Sequence, residues 1–265
     1  MADSNPSKEK EFLASAEEIA QRVGGWLVGQ LGQVDVREKN PRDLVTCADI
    51  ESQRLIREGL LARFPDHGFL GEESDEGEVA WGEGYCWIVD PIDGTMNFAH
   101  QMPGYSVSIG LFFNGQPLVG VVYDPALQET FSVILGHGSM LNGKPVRPSG
   151  RTELRRSLLV SSFPSTVKAD TPELIRFNRV VQLASMRRLG SAALNLCYVG
   201  CGRLDGYWAT TLSLWDVAAG MLFATEAGAF ATHLDGSPVN YRDLQFLAAG
   251  SEILHGELLP ILQLD

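Results

Sequence analysis

The chain has 265 residues, 45% of them hydrophobic, enough for one large domain or two closely packed halves around a sizeable core. Asp and Glu number 33 against 21 Lys and Arg, a net charge of −12, which argues against a nucleic-acid-binding surface and against an anionic-membrane surface. Cys47, Cys86, Cys197 and Cys201 are scattered without zinc-type pairing and read as reduced thiols. Met1 to Glu11 is polar with no apolar signal region, and no run approaches membrane-spanning length, so a cytoplasmic protein is the expectation.

Phe12, Ala16, Ile19, Ala20, Val23 and Leu27 recur at helical spacing and predict an amphipathic helix over Phe12 to Leu31, broken late by Gly24-Gly25. Val34 to Arg37 reads as a short strand and Lys39-Asn40-Pro41-Arg42-Asp43 as a loop leading to Leu44-Val45-Thr46. A second helix is expected from Ala48 to Phe64, ended by Pro65-Asp66. Phe69-Leu70 is a short strand emptying into Gly71-Glu72-Glu73-Ser74, and the acidic stretch Asp75 to Glu83 predicts a mobile loop. Tyr85, Trp87, Ile88 and Val89 have strand character; Pro91 cannot donate to a ladder, so regular pairing should stop near Asp90. Thr95 is placed to cap a helical turn at Met96 and Asn97. Tyr105 to Phe113 and Pro117 to Tyr123 flank the hairpin signal Asn114-Gly115, and a meander continues through Thr130 to Leu135. Residues 1–150 therefore read as an α+β half, two helices on a largely antiparallel sheet.

Proline, glycine and charge rise over Gly143 to Arg156, where the boundary between halves is placed. In residues 151–265, strands at Ser157 to Ser161, Arg187 to Leu189, Leu204 to Trp208 and Phe246 to Ala249 alternate with helices at Thr171 to Ala184, at Asp216 to Ala227 and near the carboxyl end. That alternation predicts an α/β half.

Asp90-Pro91-Ile92-Asp93-Gly94-Thr95 taken alone can be a plain turn. Its two carboxylates, two residues apart on a stiff turn, can equally aim oxygens into one small space, and like charges that close repel unless a cation sits between them. Singly, Glu72 reads as solvated surface, Asp49 as a favourable charge in a first helical turn, Asp216 as an N-cap and Gly190-Ser191-Ala192-Ala193 as tight packing at a strand-to-helix turn. Yet Glu72, Asp90, Asp93 and Asp216 all fall where an apolar segment gives way to a loop or helix start, and acids at such junctions can converge in a crevice. All-oxygen ligation suits a hard cation such as Mg²⁺ and, with paired ions, phosphoryl chemistry.

Four segments in this order resemble the signatures of the inositol monophosphatase family, lithium-sensitive and magnesium-dependent sugar and polyol phosphatases. They are Asp43-Leu44-Val45-Thr46 with Asp49; Gly71-Glu72-Glu73-Ser74; Trp87 to Thr95 with Asn97-Phe98; and Trp215-Asp216-Val217-Ala218-Ala219-Gly220. The resemblance implies an αβαβα layered sandwich, an α+β / α/β fold of two packed halves. It implies two or three Mg²⁺ ions held by Glu72, Asp90, the Ile92 carbonyl, Asp93 and Asp216. It gives catalytic roles to Glu72, Thr95 and Asp49, with Thr95 oriented by Asp49 to position the attacking water. The Gly94 and Thr95 amides would bind phosphate, and Asp93, Gly190, Ser191, Ala192 and Asp216 would contact the substrate. The reaction implied is direct attack of metal-activated water on a small phosphorylated sugar or polyol, and the assembly implied is a homodimer. One position departs from the pattern. Seven residues before the last metal aspartate the family has a glutamate that hydrogen-bonds substrate hydroxyls, and here Ala209 stands in its place. Histidinol phosphate and fructose 1,6-bisphosphate therefore stay open as substrates, as does a regulatory or scaffolding role on the same fold.

Overall fold

The computed structural model describes residues 6–33, 36–40, 43–74, 81–164, 167–168 and 170–264. Helix α1 (Pro6–Gln30) buries Phe12, Ile19, Val23 and Leu27 as its spacing predicts, but it runs unbroken through Gly24-Gly25. The reason is close packing: a Cβ at Gly24 would meet the Tyr123 ring at 2.4 Å, so glycine there lets the helix approach the sheet. Strands β1 (Val36–Asn40) and β2 (Asp43–Thr46) form a separate antiparallel pair, taking in Lys39, Asn40 and Asp43 from the expected loop. Helix α2 (Cys47–Arg63) follows, capped by Thr46, and packs beside α1.

Strands β3 (Gly68–Gly71), β4 (Tyr85–Asp93), β5 (Ser106–Phe113), β6 (Gln116–Asp124), β7 (Glu129–Ile134), β8 (Ser139–Leu141) and β9 (Lys144–Pro145) form a seven-stranded sheet in chain order, with the short helix α3 (Thr95–Ala99) between β4 and β5. Only the β3–β4 pair is parallel. Residues 75–80 of the acidic stretch lie outside the described residues. Pairing of β4 does not stop at Asp90. Asp90 opposes Ser108 and Asp93 opposes Ser106, so one extra residue bulges out around Pro91, the one place in a ladder that tolerates a missing N–H.

The second sheet runs in the order β11 (Ser185–Arg187), β10 (Leu158–Ser161), β12 (Gly206–Ala209), β14 (Phe246–Ala249), β13 (Phe230–His233). Helices α4 (Pro172–Val180), α5 (Ala192–Gly200), α6 (Leu214–Glu226) and α7 (Glu252–Leu262) complete the chain. Helix α4 is shorter than expected because the chain turns after Val180 to enter β11 two residues early, pairing parallel to β10. Five layers result: α1 and α2, the seven-stranded sheet, α5 and α6, the five-stranded sheet, then α4 and α7. The expected αβαβα sandwich is the observed fold.

Strand β4 shows why the layers form. Trp87 and Val89 pack with Phe12 and Leu60 toward α1 and α2, while Cys86 and Ile88 pack with Ala218 toward α6. With both faces covered the strand needs no polar side, which is why its sequence reads as an unbroken apolar run. Among the described residues no helix is long and apolar enough to cross a membrane.

Candidate active site

The apolar part of β4 carries Asp90 and Asp93 into the interior, where they are 2% and 5% exposed. The bulge then fixes them: the Ile92 amide donates back to Asp90 Oδ1 at 3.0 Å. Gly94 follows in the left-handed region at φ 97°, and a Cβ there would meet the Gly104 carbonyl at 2.9 Å, so this turn needs glycine twice over. Gly94, not Thr95, is the N-cap of α3. Thr95 is its first residue, and its hydroxyl lies 3.1 Å from Asp49 Oδ1 and 3.0 Å from the Ile92 carbonyl.

Asp49 is fixed in turn by a capping box. Its Oδ2 accepts the Thr46 amide and the Thr46 hydroxyl, both at 2.7 Å. Asp216 sits in a second box at the start of α6. Ser213 is the N-cap, and Asp216, the third helical residue, accepts the Ser213 amide on Oδ2 at 2.6 Å. The expectation that Asp216 itself caps the helix is thus corrected: α6 begins two residues earlier, at Leu214. What brings it to β4 is the absence of side chains beneath it. Gly110 and Gly120 face each other across β5 and β6, and a Cβ on them would meet Ala218 Cβ and the Ala219 carbonyl, both at 3.0 Å. One oxygen each of Asp90, Asp93 and Asp216 consequently lie within 4.8 Å of one another.

Asp93 is held from the second half of the chain. The Ala192 amide donates to its Oδ1 at 3.0 Å, the Ala193 amide to Oδ2 at 2.8 Å, and the Ser191 and Ser106 hydroxyls also reach Oδ2. Glu72, half-buried just past β3, joins the others in lining a cavity of about 260 Å³. Ile92, Gly94, Thr95 and Met96 line it from the same side, and Ser162, Phe163, Arg188, Gly190, Ala192 and Leu212 from the second half, with Asp216 between.

Burial and neighbouring carboxylates raise the pKa of acids in this cluster. Burial first, then the charges of Glu72, Asp93 and Asp216, push Asp90 well above the usual carboxylate range. Burial and then Asp93 push Asp216 up to about 8, against the pull of the Ser213 amide. Burial raises Asp93 and Asp49 as well, opposed by their hydrogen-bond donors. A divalent cation would remove this repulsion, and the donor set, carboxylates with the Ile92 carbonyl close by, fits a hard ion such as Mg²⁺.

The inositol monophosphatase family model matches residues 8–264. The chain belongs to the inositol monophosphatase family. It is 39% identical over 261 residues to an inositol-1-monophosphatase of Synechocystis, covering 96% of this chain and 89% of that one. It is 37% identical over 242 residues to the Nus factor SuhB of Pseudomonas aeruginosa, covering 89% of each. The crystal structure of the extragenic suppressor protein suhB of Bartonella henselae superimposes with a TM-score of 0.88 at 35% identity, covering 96% of this chain and 98% of that one.

Of the family-implied residues, Glu72, Asp90, Ile92, Asp93, Gly94, Thr95, Gly190, Ala192 and Asp216 all line the cavity, and Asp49 stands behind Thr95. Ser191 does not line it. It is 1% exposed, and its hydroxyl, like the Ala192 amide expected to face substrate, is engaged with Asp93. Ser106, Phe163 and Arg188 were not singled out from sequence. Ser106 opposes Asp93 across the bulge, a relation that only strand register reveals. Arg188 lies two residues before Gly190, in the segment Arg187 to Leu189 that reads only as a strand. Ala209 is buried in β12, and the adjacent Thr210 hydroxyl donates to Glu173 of α4.

Proposed function

We propose that this protein is a Mg²⁺-dependent phosphomonoesterase that hydrolyses a small sugar or polyol phosphate. The observation that carries this reading is the convergence of Asp90, Asp93 and Asp216 to within 4.8 Å at a cavity that Thr95 also lines. Glu72, Asp90, Asp93, Asp216 and the Ile92 carbonyl would hold two or three ions. Bound there, Mg²⁺ supplies positive charge that lowers the pKa of a water and offsets charge on the leaving oxygen.

The protein's own groups do the positioning. Thr95 has one hydroxyl proton and two acceptors, Asp49 and the Ile92 carbonyl, so the proton stays committed and the oxygen's remaining lone pair can accept a hydrogen bond from the attacking water. Asp93, clamped by two amides and two hydroxyls, cannot swing into the space the phosphate needs. Gly94 and Thr95 line the same wall, and their amides would serve the phosphate oxygens. Water oxygen would then bond to phosphorus as the ester P–O bond breaks, the proton released by that water balancing the one taken up by the departing alkoxide. Among the described residues the cavity wall carries no His or Cys, in keeping with direct attack by water.

Purified protein should release phosphate from a panel of sugar and polyol monophosphates with Mg²⁺ and lose that activity in chelator. No release from any member would overturn the reading. Millimolar lithium should inhibit, and light scattering should show a homodimer. A second reading, a regulatory role on the same fold, draws on the 37% identical Nus factor. It predicts that an Asp93→Asn protein without phosphatase activity still functions in cells.

A further inference from the structure

We infer that the substrate carries a second anionic group besides the phosphate that is cleaved, and that Arg188, stacked on Phe163, receives it. This inference rests on the phosphatase reading and narrows its substrate class.

The cavity wall is strongly asymmetric. Glu72, Asp90, Asp93 and Asp216 bring carboxylates to it, and among the described residues Arg188 is the sole cation that lines it. Divalent ions would serve the acidic part. The cation has no protein partner: among the described residues Arg188, which is exposed, makes no ion pair with Asp or Glu and no side-chain hydrogen bond, whereas Arg54, Arg151, Arg176 and Arg203 are each paired with an acid. In a chain of net charge −12, an exposed arginine that lines an acidic cavity without a carboxylate partner is free to meet an anion there.

Arg188 nonetheless rests against an aromatic ring. The guanidinium carbon lies 5.5 Å from the centroid of the Phe163 ring, and that ring packs edge-on against Phe177 of α4 at 5.4 Å. Stacking on an aromatic face holds the plane of an arginine while leaving its N–H edge available, the arrangement suited to bidentate contact with a phosphate or carboxylate. Both residues stand at strand ends of the five-stranded sheet: Phe163 two residues past β10, Arg188 one residue past β11, which pairs parallel to β10.

The opposite preference has lost its support. At position 209, where the family pattern places an acid for substrate hydroxyls, the side chain is a buried methyl, and the neighbouring Thr210 hydroxyl is committed to Glu173. With that acid absent and Arg188 on the wall, a positively charged substrate such as histidinol phosphate is disfavoured and a sugar bisphosphate or a phosphorylated sugar acid is favoured.

The test compares fructose 1,6-bisphosphate with fructose 1-phosphate for hydrolysis under Mg²⁺. In parallel, calorimetry measures binding of their methylene phosphonate analogues, which have no cleavable ester. Wild type should prefer the doubly anionic member by at least 10-fold in both measurements, and Arg188→Ala should cut that ratio 10- to 100-fold, as expected for loss of a charge-assisted bidentate contact. Arg188→Lys should keep part of the preference, since it keeps the charge without the fork. Equal handling of the two ligands by wild type, or a ratio untouched in Arg188→Ala, would overturn the inference. Should neither ester be hydrolysed, the binding ratio still decides the role of Arg188, and the wider panel of monophosphates decides the phosphatase reading.

Discussion

The two capping boxes of this protein use one local pattern for opposite ends. Thr46-Cys47-Ala48-Asp49 and Ser213-Leu214-Trp215-Asp216 each place an aspartate in the first turn of a helix, with one oxygen accepting the N-cap amide, at 2.7 and 2.6 Å. Asp49 then fills its other oxygen with the Thr95 hydroxyl and has three donors around it. Asp216 meets carboxylates instead, within reach of Asp90 and Asp93. The same sequence device therefore makes a positioning group where the helix faces hydroxyls and a metal-ligand candidate where it faces acids. Local pattern sets the rotamer; the neighbouring layer decides the chemistry.

The largest expected difference between the boxes comes from Asp216→Asn. Asparagine can still accept the Ser213 amide, so α6 stays capped, but one negative charge leaves the cluster. Mg²⁺-dependent kcat/KM should fall by about 10³-fold or more, on the scale of losing a ligand and its charge stabilisation. The metal-free protein should unfold at the same or a higher temperature, because like-charge repulsion is relieved. Asp49→Asn should behave differently. One carbonyl oxygen cannot serve both Thr46 and Thr95, so kcat should drop about 10- to 100-fold, in the range of general positioning effects, with Mg²⁺ affinity nearly unchanged.

Titration sharpens the contrast. The folded-state pKa of Asp216, about 8, lies above the unfolded carboxylate value, so the folded protein binds the extra proton. That contribution to stability is complete below about pH 4 and is lost as pH rises through about 8. His67 and His255, held below their ordinary values by burial, oppose this trend at the acidic side. Subtracting the pH–stability profile of Asp216→Asn from that of the wild type, both metal-free, removes the histidines. The difference should decline between pH 5 and 8, and saturating Mg²⁺ should reverse its sign. Smallest of all is Thr46→Ala, which should cost about 1 kcal/mol of stability through the lost cap, measured by denaturant unfolding, with activity within a few-fold.

Much of this was legible beforehand, and the reasons are specific. Strand β4 announces itself because both its faces are covered, and the acids stand out against that apolar run. Asn114-Gly115 marks its hairpin because both residues adopt positive φ, 49° and 76°. What sequence hid depends on partners far along the chain. Gly24-Gly25 reads as a break until Tyr123 is seen against Gly24. Asp216 reads as an N-cap until Ser213 is seen to hold that place. Ser191 and Ala192 are implied substrate contacts, and only the tertiary fold shows that the Ser191 hydroxyl and the Ala192 and Ala193 amides clamp Asp93. Arg188, within the expected strand Arg187 to Leu189, carries no pattern of its own; its meaning comes from the Phe163 ring and from the acids that line the same cavity.

Mn²⁺ binding, followed by electron paramagnetic resonance on the wild type and on Asp90→Asn, tests the gathering of these carboxylates most directly. Wild type should take up the ion at sites for which Mg²⁺ competes, and Asp90→Asn, which leaves the core volume unchanged, should lose at least 10-fold in affinity. Equal affinity and stoichiometry in the two proteins would contradict the account.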